Sequence, residues 1–324
     1  MFDLPKIITL GPEDRITEPG FYRLPLAQHH GQPCDGPSVT SSILRRLETA
    51  SPADVWAFHA LNPDRYPSRE TDALTLGTAM AAWIEGGPER LEEVVRVLPA
   101  NKPNRPSLAQ REAYKVGKAT EAGRRSVEFW AKVEADPRPA ITEAQWEEIV
   151  AAGKVLAADP AAAAALGGEP EVTAAFYDEE TDLWVLSRPD QLSFSGMTCD
   201  YKRMAAAGRP FDARLVDQRI TAGAYHMQMA LACEAMERLT GHWPETVGIV
   251  AQCAEAPYHV LLRAFDEEVL RIGAFQNRRA RRLFRDCLDS GHWPGPGEHV
   301  GAYAMPDWLL SRLLEEMNTA GTAP

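Results

Sequence analysis

At Glu171 the sequence changes period. Upstream, apolar residues recur every three or four positions, the spacing of a helix that buries one face; from Glu171 they fall into alternations and short runs of strand length. EVTAAFYD and LWVLSRPDQLSFS read as two strands joined by the polar turn Glu179 to Asp182, and Gly196 turns the chain into MTCDYK. Three consecutive antiparallel strands are expected. A helix over about Val216 to Leu239 follows, with Ile220, Ala224, Met227 and Leu231 on its buried stripe. Then come two strands, TVGIVAQCA and YHVLLRAF, and a last long helix from about Asp266 to Asp289. Helices, a meander, helix, strand, strand and helix make an order that fits a mixed α/β or α+β fold.

The part before Glu171 is helical after a broken start. Repeated prolines and glycines make residues 1–70 a loop-rich N-terminal segment, with one clear helix at SVTSSILRRL capped by Thr40 or Ser41. DALTLGTAMAAWIEGG reads as a second helix, with Leu76, Met80, Trp83 and Ile84 on one face and Gly86-Gly87 as its stop. Residues 107–135 read as one long polar helix. Thr142 and Gln145 form a capping box for the next, which Pro160 closes. No repeat or long linker interrupts this order, so residues 1–324 are expected to form a single domain with 291–324 as a C-terminal tail.

Composition removes several function classes. No run of about 18 uncharged apolar residues occurs, and Met1 to Thr9 is too short and too charged for a secretory signal, so a cytoplasmic protein without a membrane span is expected. The cysteines Cys34, Cys199, Cys233, Cys253 and Cys287 are scattered without a C-x-x-C pair, against a disulfide framework, a zinc knuckle or a cysteine-ligated iron-sulfur cluster. A net charge of -12 opposes nonspecific coating of nucleic acid. It leaves room for local basic segments, at residues 101–125 and in NRRARRLFR, residues 277–285. Each reads as a phosphate-contacting surface or as a solvated helical face.

The stretch VLSRPDQLSFSGMTCDYKRM carries the chemistry. Side chains two apart on a strand share a face, so Asp200 and Lys202 project together while Tyr201 points away. Asp190 comes alongside Asp200 if the turn near Gly196 pairs the two strands, and Glu171 begins the strand before. Two carboxylates with a backbone carbonyl and water make a hard oxygen site for Mg²⁺ or Mn²⁺. A lysine beside it can position or deprotonate an attacking water and offset charge on a phosphate. The alternative is a surface hairpin with a charged end.

These segments, in this order, resemble the PD-(D/E)xK nuclease superfamily and, within it, the RecE-like phage and prophage exonucleases of the exonuclease VIII type. The resemblance spans nearly the whole chain: PGFYRLPLAQHH and SVTSSILRRL, the glycine-led LGTAMAAWIEGG, the EVTAAFYDEETDLWVLSRPD hairpin with CDYK, the Tyr-x-x-Gln helix AGAYHMQMALACEAM, and the closing WPGPGEHVGAYAMPDWLL. It implies a restriction-endonuclease-like core, a central mixed sheet flanked by helices. It also implies that Asp190, Asp200 and the Tyr201 carbonyl bind Mg²⁺ or Mn²⁺, that Lys202 handles the water, and that Glu171 assists through water or a second ion. Gln228, three residues after Tyr225 and on its face, is expected to order the lysine or a substrate phosphate. Arg281, Arg282 and Arg285, with Tyr225, are the expected DNA contacts. One departure stands out: four residues after Gly77, where the family carries a metal-binding histidine, this chain has Ala81, and Glu85 one turn on is the nearest polar substitute.

The resemblance further implies 5'-to-3' exonuclease action on linear double-stranded DNA, leaving 3' overhangs for a single-strand annealing protein, by a ring-like homo-oligomer. The rival readings are a nuclease of other specificity and a catalytically degenerate DNA-binding or assembly module.

Overall fold

The computed structural model describes residues 5–67, 72–194, 196–298 and 303–320. The ends of the expected N-terminal segment and parts of the C-terminal tail, residues 1–4, 68–71, 299–302 and 321–324, lie outside the described residues. The N-terminal part contains β1 (Ile7–Thr9), β2 (Gly20–Arg23), α1 (Leu26–His29), β3 (Ser38–Thr40), α2 (Ser41–Thr49) and α3 (Pro52–Trp56). A helical part follows: α4 (Asp72–Val94), β4 (Arg96–Leu98), α5 (Leu108–Lys115), α6 (Glu121–Ala135), β5 (Ala140–Thr142), α7 (Glu143–Ala158) and α8 (Pro160–Ala165). The last part runs β6 (Glu169–Pro170), β7 (Thr173–Asp178), β8 (Leu183–Ser187), β9 (Gln191–Leu192), β10 (Met197–Met204), α9 (Ala213–Ala222), α10 (Tyr225–Thr240), β11 (Thr246–Cys253), β12 (Val260–Ala264), α11 (Glu267–Ser290) and α12 (Asp307–Ala320).

The strands form two mixed five-stranded sheets, ordered β1-β2-β7-β8-β3 and β12-β11-β10-β9-β6, with β4 and β5 as a separate parallel pair. The expected meander is therefore divided. β7 and β8 make the antiparallel hairpin read from the sequence, but β8 is flanked by β3, and the chain then leaves this sheet to build β9 and β10 in the other. The crossing falls at Arg188-Pro189-Asp190. Proline has no N–H to give a ladder and restricts the residue before it, so pairing stops there.

The N-terminal segment is less loop-like than its composition suggests. β1, β2 and β3 complete the first sheet through pairing with β7 and β8, partners far along the chain. Two expected helices are broken where residues take positive φ. Residues 107–135 divide into α5 and α6 around Gly117 (φ +71°), and the helix after Lys202 divides into α9 and α10 at Gly223-Ala224, with Ala224 at φ +49°. The expected stop at Gly86-Gly87 is present: both glycines leave helical geometry, Gly87 at φ +66°, and divide α4 into two helical segments, the second opening at Pro88. The Thr142–Gln145 capping box is present, and Asp266 caps α11 through the N–H of Val269 at 3.0 Å.

The second sheet is covered on both faces. Cys199, Tyr201 and Val250 pack with Met80, Ile149 and Leu156 of α4 and α7, whereas Ile249 and Ala251 pack with Val216, Ile220, Met229 and Cys233 of α9 and α10. Asp200 and Lys202 align with Ile249 and Ala251, on the α10 side. Met227 and Leu231 of α10 also enter the core of the first sheet with Phe176 and Val185, so α10 bridges the two sheets. Among the described residues no helix is long and apolar enough to cross a membrane.

Candidate active site

Both crossings between the sheets lie side by side. Glu171 stands between β6 and β7, Asp190 between β8 and β9, and the Glu171 N–H donates to the Asp190 carbonyl at 3.2 Å. Glu171 takes φ +56°, a left-handed conformation rare for a side chain of its size, which turns the chain from one sheet to the other. β9 then pairs with β10 at Gln191 and Cys199, bringing Asp190 alongside Asp200. The Asp190 N–H donates to Asp200 Oδ1 at 3.0 Å, and the Tyr201 N–H donates to Asp190 Oδ2 at 2.8 Å.

Asp200 is the centre of the cluster. Its Oδ2 accepts from Gln228 Nε2 at 2.7 Å and from the Lys202 ammonium, with which it forms an ion pair. It is fully buried, whereas the Lys202 side chain keeps 23% exposure, so the cluster opens to solvent through the lysine. Burial works against the Lys202 ammonium, but the carboxylates of Asp200 and Asp190 outweigh it and hold the lysine above its ordinary pKa. In the metal-free cluster Lys202 is therefore held as a charged donor. Burial and then the neighbouring Asp200 carboxylate push Asp190 up to about 7.

Tyr225 begins α10 immediately after the left-handed Ala224. A side chain at position 223 would meet the Tyr225 ring at 2.6 Å, so glycine there lets the ring fold back over the turn. The ring lies 5.3 Å from Lys202 Nζ and 5.2 Å from the Arg45 guanidinium, both in cation–π range. Arg45, on α2, also donates to the Gly223 carbonyl at 2.8 Å.

The expected residues separate into two groups. Asp190, Asp200, Lys202, Gln228 and Tyr225 meet at one place. Glu171 is adjacent, but its carboxylate pairs with Arg188, which also donates to the Leu24 carbonyl at 3.3 Å. Glu85 is not brought to the acids: its carboxylate pairs with Arg90 at 2.9 Å, and the core residues of α4 pack on the Tyr201 face of the sheet, opposite Asp200. Among the described residues no group of three or more His, Cys, Asp or Glu is arranged to hold a metal.

The expectation for α11 needs correction. Arg281 is 1% exposed and is locked between Asp178 at 3.2 Å and Glu234 at 3.0 Å, so it cannot reach a phosphate. Arg282 pairs with Glu180, and Arg285 with Asp289 and Asp182. The reading of NRRARRLFR as a contiguous basic surface fails because its cations face acids from β7, the β7–β8 turn and α10. Arg45 and Arg188 were not singled out from the sequence. The signal for Arg188 was its place directly before Pro189-Asp190; for Arg45 there was none, because RR on an amphipathic helix does not say which arginine turns inward.

No protein-family model and no curated protein matches this chain. A solved structure does. It is a protein from Eubacterium rectale named as a "putative exonuclease", 12% identical in sequence, with a TM-score of 0.51 over 89% of this chain and 98% of that one. At that identity the likeness is one of fold: a mixed α/β architecture with helices flanking mixed sheets.

Proposed function

We propose that the protein is a divalent-metal-dependent exonuclease acting on the ends of linear double-stranded DNA. The observation that carries this reading is the convergence of Asp190, Asp200, Lys202 and Gln228 where the chain crosses between the sheets. The shared fold with a protein named for exonuclease activity supports it. The finer terms, 5'-to-3' polarity, 3' overhangs passed to a single-strand annealing protein, and a homo-oligomeric state, rest on the RecE-like resemblance of the sequence.

The donor set suits a hard cation. Among the described residues Asp190 Oδ1 accepts no hydrogen bond, and Gln228 Oε1 is a buried acceptor without a partner. A residue's carbonyl and N–H leave a strand on the same side, so the Tyr201 carbonyl faces the Asp190 side of β10. Asp190, Asp200 and the Tyr201 carbonyl would hold Mg²⁺ or Mn²⁺, which supplies positive charge to a phosphodiester as negative charge builds on it. Lys202 Nζ donates to a non-bridging oxygen or to the attacking water while remaining charged. Gln228 fixes the Asp200 carboxylate by its amide, and Tyr225 holds the lysine's position from its ring face.

A specific observation favours a second reading. The further acids that a fuller metal site would use, Glu171 and Glu85, are both neutralised by arginines, as expected of a DNA-binding module that has lost hydrolysis. Linear duplex labelled at the 5' or the 3' end, with a closed-circular control, separates the readings. The exonuclease releases 5' label as small products in Mg²⁺, none in EDTA, and leaves the circle intact. Cutting of the circle at the linear rate means an endonuclease; binding without cleavage in any divalent ion means the silent module.

A further inference from the structure

The exposed face of α9 carries a groove of about 600 Å³ lined by Arg214, Asp217, Gln218, Thr221 and Ala222. These positions recur at one helical turn, while Leu215, Val216 and Ile220 on the other side are buried. Four of its five lining residues carry a polar or charged group. We propose that this groove holds the sugar-phosphate backbone of a DNA strand running to the active site, with Arg209 and Arg214 as its phosphate contacts. The proposal rests on the nuclease reading above and adds where the strand lies.

Charge is the first argument. Three arginines, Arg209, Arg214 and Arg263, border the groove against two aspartates, Asp212 and Asp217. Asp217 is held by Arg263 through two bonds of 2.7 Å, and Asp212 is turned to the helix start, accepting from the Leu215 N–H at 2.9 Å. Arg209 reaches Gln218 at 2.9 Å, a neutral partner that leaves the cation uncompensated. Among the described residues Arg214 has no ion pair. In a chain of net charge -12, such an excess of cations is a local feature that attracts a polyanion.

Continuity is the second. Ala222, at the end of the groove, precedes Gly223, whose carbonyl accepts from Arg45, and Arg45 and Lys202 both lie against the Tyr225 ring. A strand leaving the groove at Ala222 meets the catalytic cluster within one turn of chain. On the outer face of α11, Arg279, Arg282 and Arg285 are each paired with an acid, and the groove lined by Arg271 and Arg278 also carries Glu268 and the exposed Ile272 and Phe275.

The test is binding of a labelled duplex with a single-stranded tail, titrated against salt in EDTA so that cleavage plays no part. It is run beside hydrolysis of the p-nitrophenyl ester of thymidine 5'-monophosphate in Mg²⁺. Arg209→Glu with Arg214→Glu is expected to weaken binding at least tenfold and to reduce the salt slope by roughly 1.8, about 0.9 for each lost phosphate contact. Ester hydrolysis and thermal stability are expected to stay at the parent's values, and Arg214→Lys to bind as the parent does. A parent that binds DNA no better than the double variant, yet hydrolyses the ester, overturns the groove alone. A parent that neither binds DNA nor hydrolyses the ester overturns the groove and the nuclease reading together.

Discussion

Asp190 and Asp200 are clasped through each other's backbone: Asp200 accepts the N–H of Asp190, and Asp190 accepts the N–H of Tyr201, the residue after Asp200. Two carboxylates are thus held together at the crossing between the sheets by main-chain donors, whose positions the strands fix. Hydrogen bonds to charged groups contribute about 1.5–3 kcal/mol each, which offsets part of the repulsion between the acids.

The clasp makes stability depend on pH in the metal-free protein. Asp190 is raised from the ordinary aspartate range to about 7, by burial first and by Asp200 second. Between about pH 4 and 7 the folded chain therefore keeps a proton that the unfolded chain has lost, and stability falls as pH rises through that window, by at most about 1.4 kcal/mol per pH unit. Asp190→Asn is expected to flatten the dependence. Urea midpoints at several pH values in EDTA measure it; identical slopes for parent and variant would refute the raised Asp190.

Asp200→Ala is expected to damage the fold as well as the chemistry. The side chain is fully buried and satisfies the Asp190 N–H and the Gln228 amide, so its removal strands donors at roughly 1–3 kcal/mol each. Asp200→Asn, which keeps an acceptor oxygen, is expected to fold closer to the parent and remain inactive. Denaturation curves of the two variants decide this; equal stability would mean that Asp200 holds nothing in place.

Arg281→Gln is expected to cost roughly 1–3 kcal/mol of stability, since Asp178 and Glu234 lose their buried cation and keep only the half-exposed Arg238, at 3.5 and 3.4 Å. The folded fraction should bind DNA as the parent does. Lower affinity at unchanged stability would restore Arg281 as a phosphate contact.

Glu85→Gln is expected to leave both stability and metal dependence near the parent's values. Glu85 shares an exposed ion pair with Arg90, worth 0–1 kcal/mol as a rule. A raised Mg²⁺ requirement for cleavage would show that Glu85 does serve a metal, as its place after Ala81 in the sequence first suggested.

Local signals in the sequence were reliable where one residue decides the geometry. The alternation from Glu171 and the Thr142–Gln145 box are both fixed by neighbours within a few positions, and the Asp200–Lys202 face follows from strand periodicity alone. What was not legible depends on distant partners. Strands of three or four residues such as β1 and β3 have no pattern of their own and exist because β2 and β8 pair with them. The arginines of α11 read as a surface because nothing local shows that Asp178 and Glu234 come to meet Arg281. Arg45 belongs with them: it joins the site only because α2 lies beside the start of α10.

The most direct test is the rate of nucleotide release from 5'-labelled linear duplex in Mg²⁺ by the parent and by Lys202→Ala. The lysine is partly exposed and its loss leaves the Asp190–Asp200 clasp in place. A folded variant slower by on the order of 10³-fold, with DNA affinity largely retained, is the expected outcome, equivalent to about 4 kcal/mol of transition-state stabilisation. Equal rates for parent and variant would mean that the Asp190–Asp200–Lys202 cluster is not where the phosphodiester is cut.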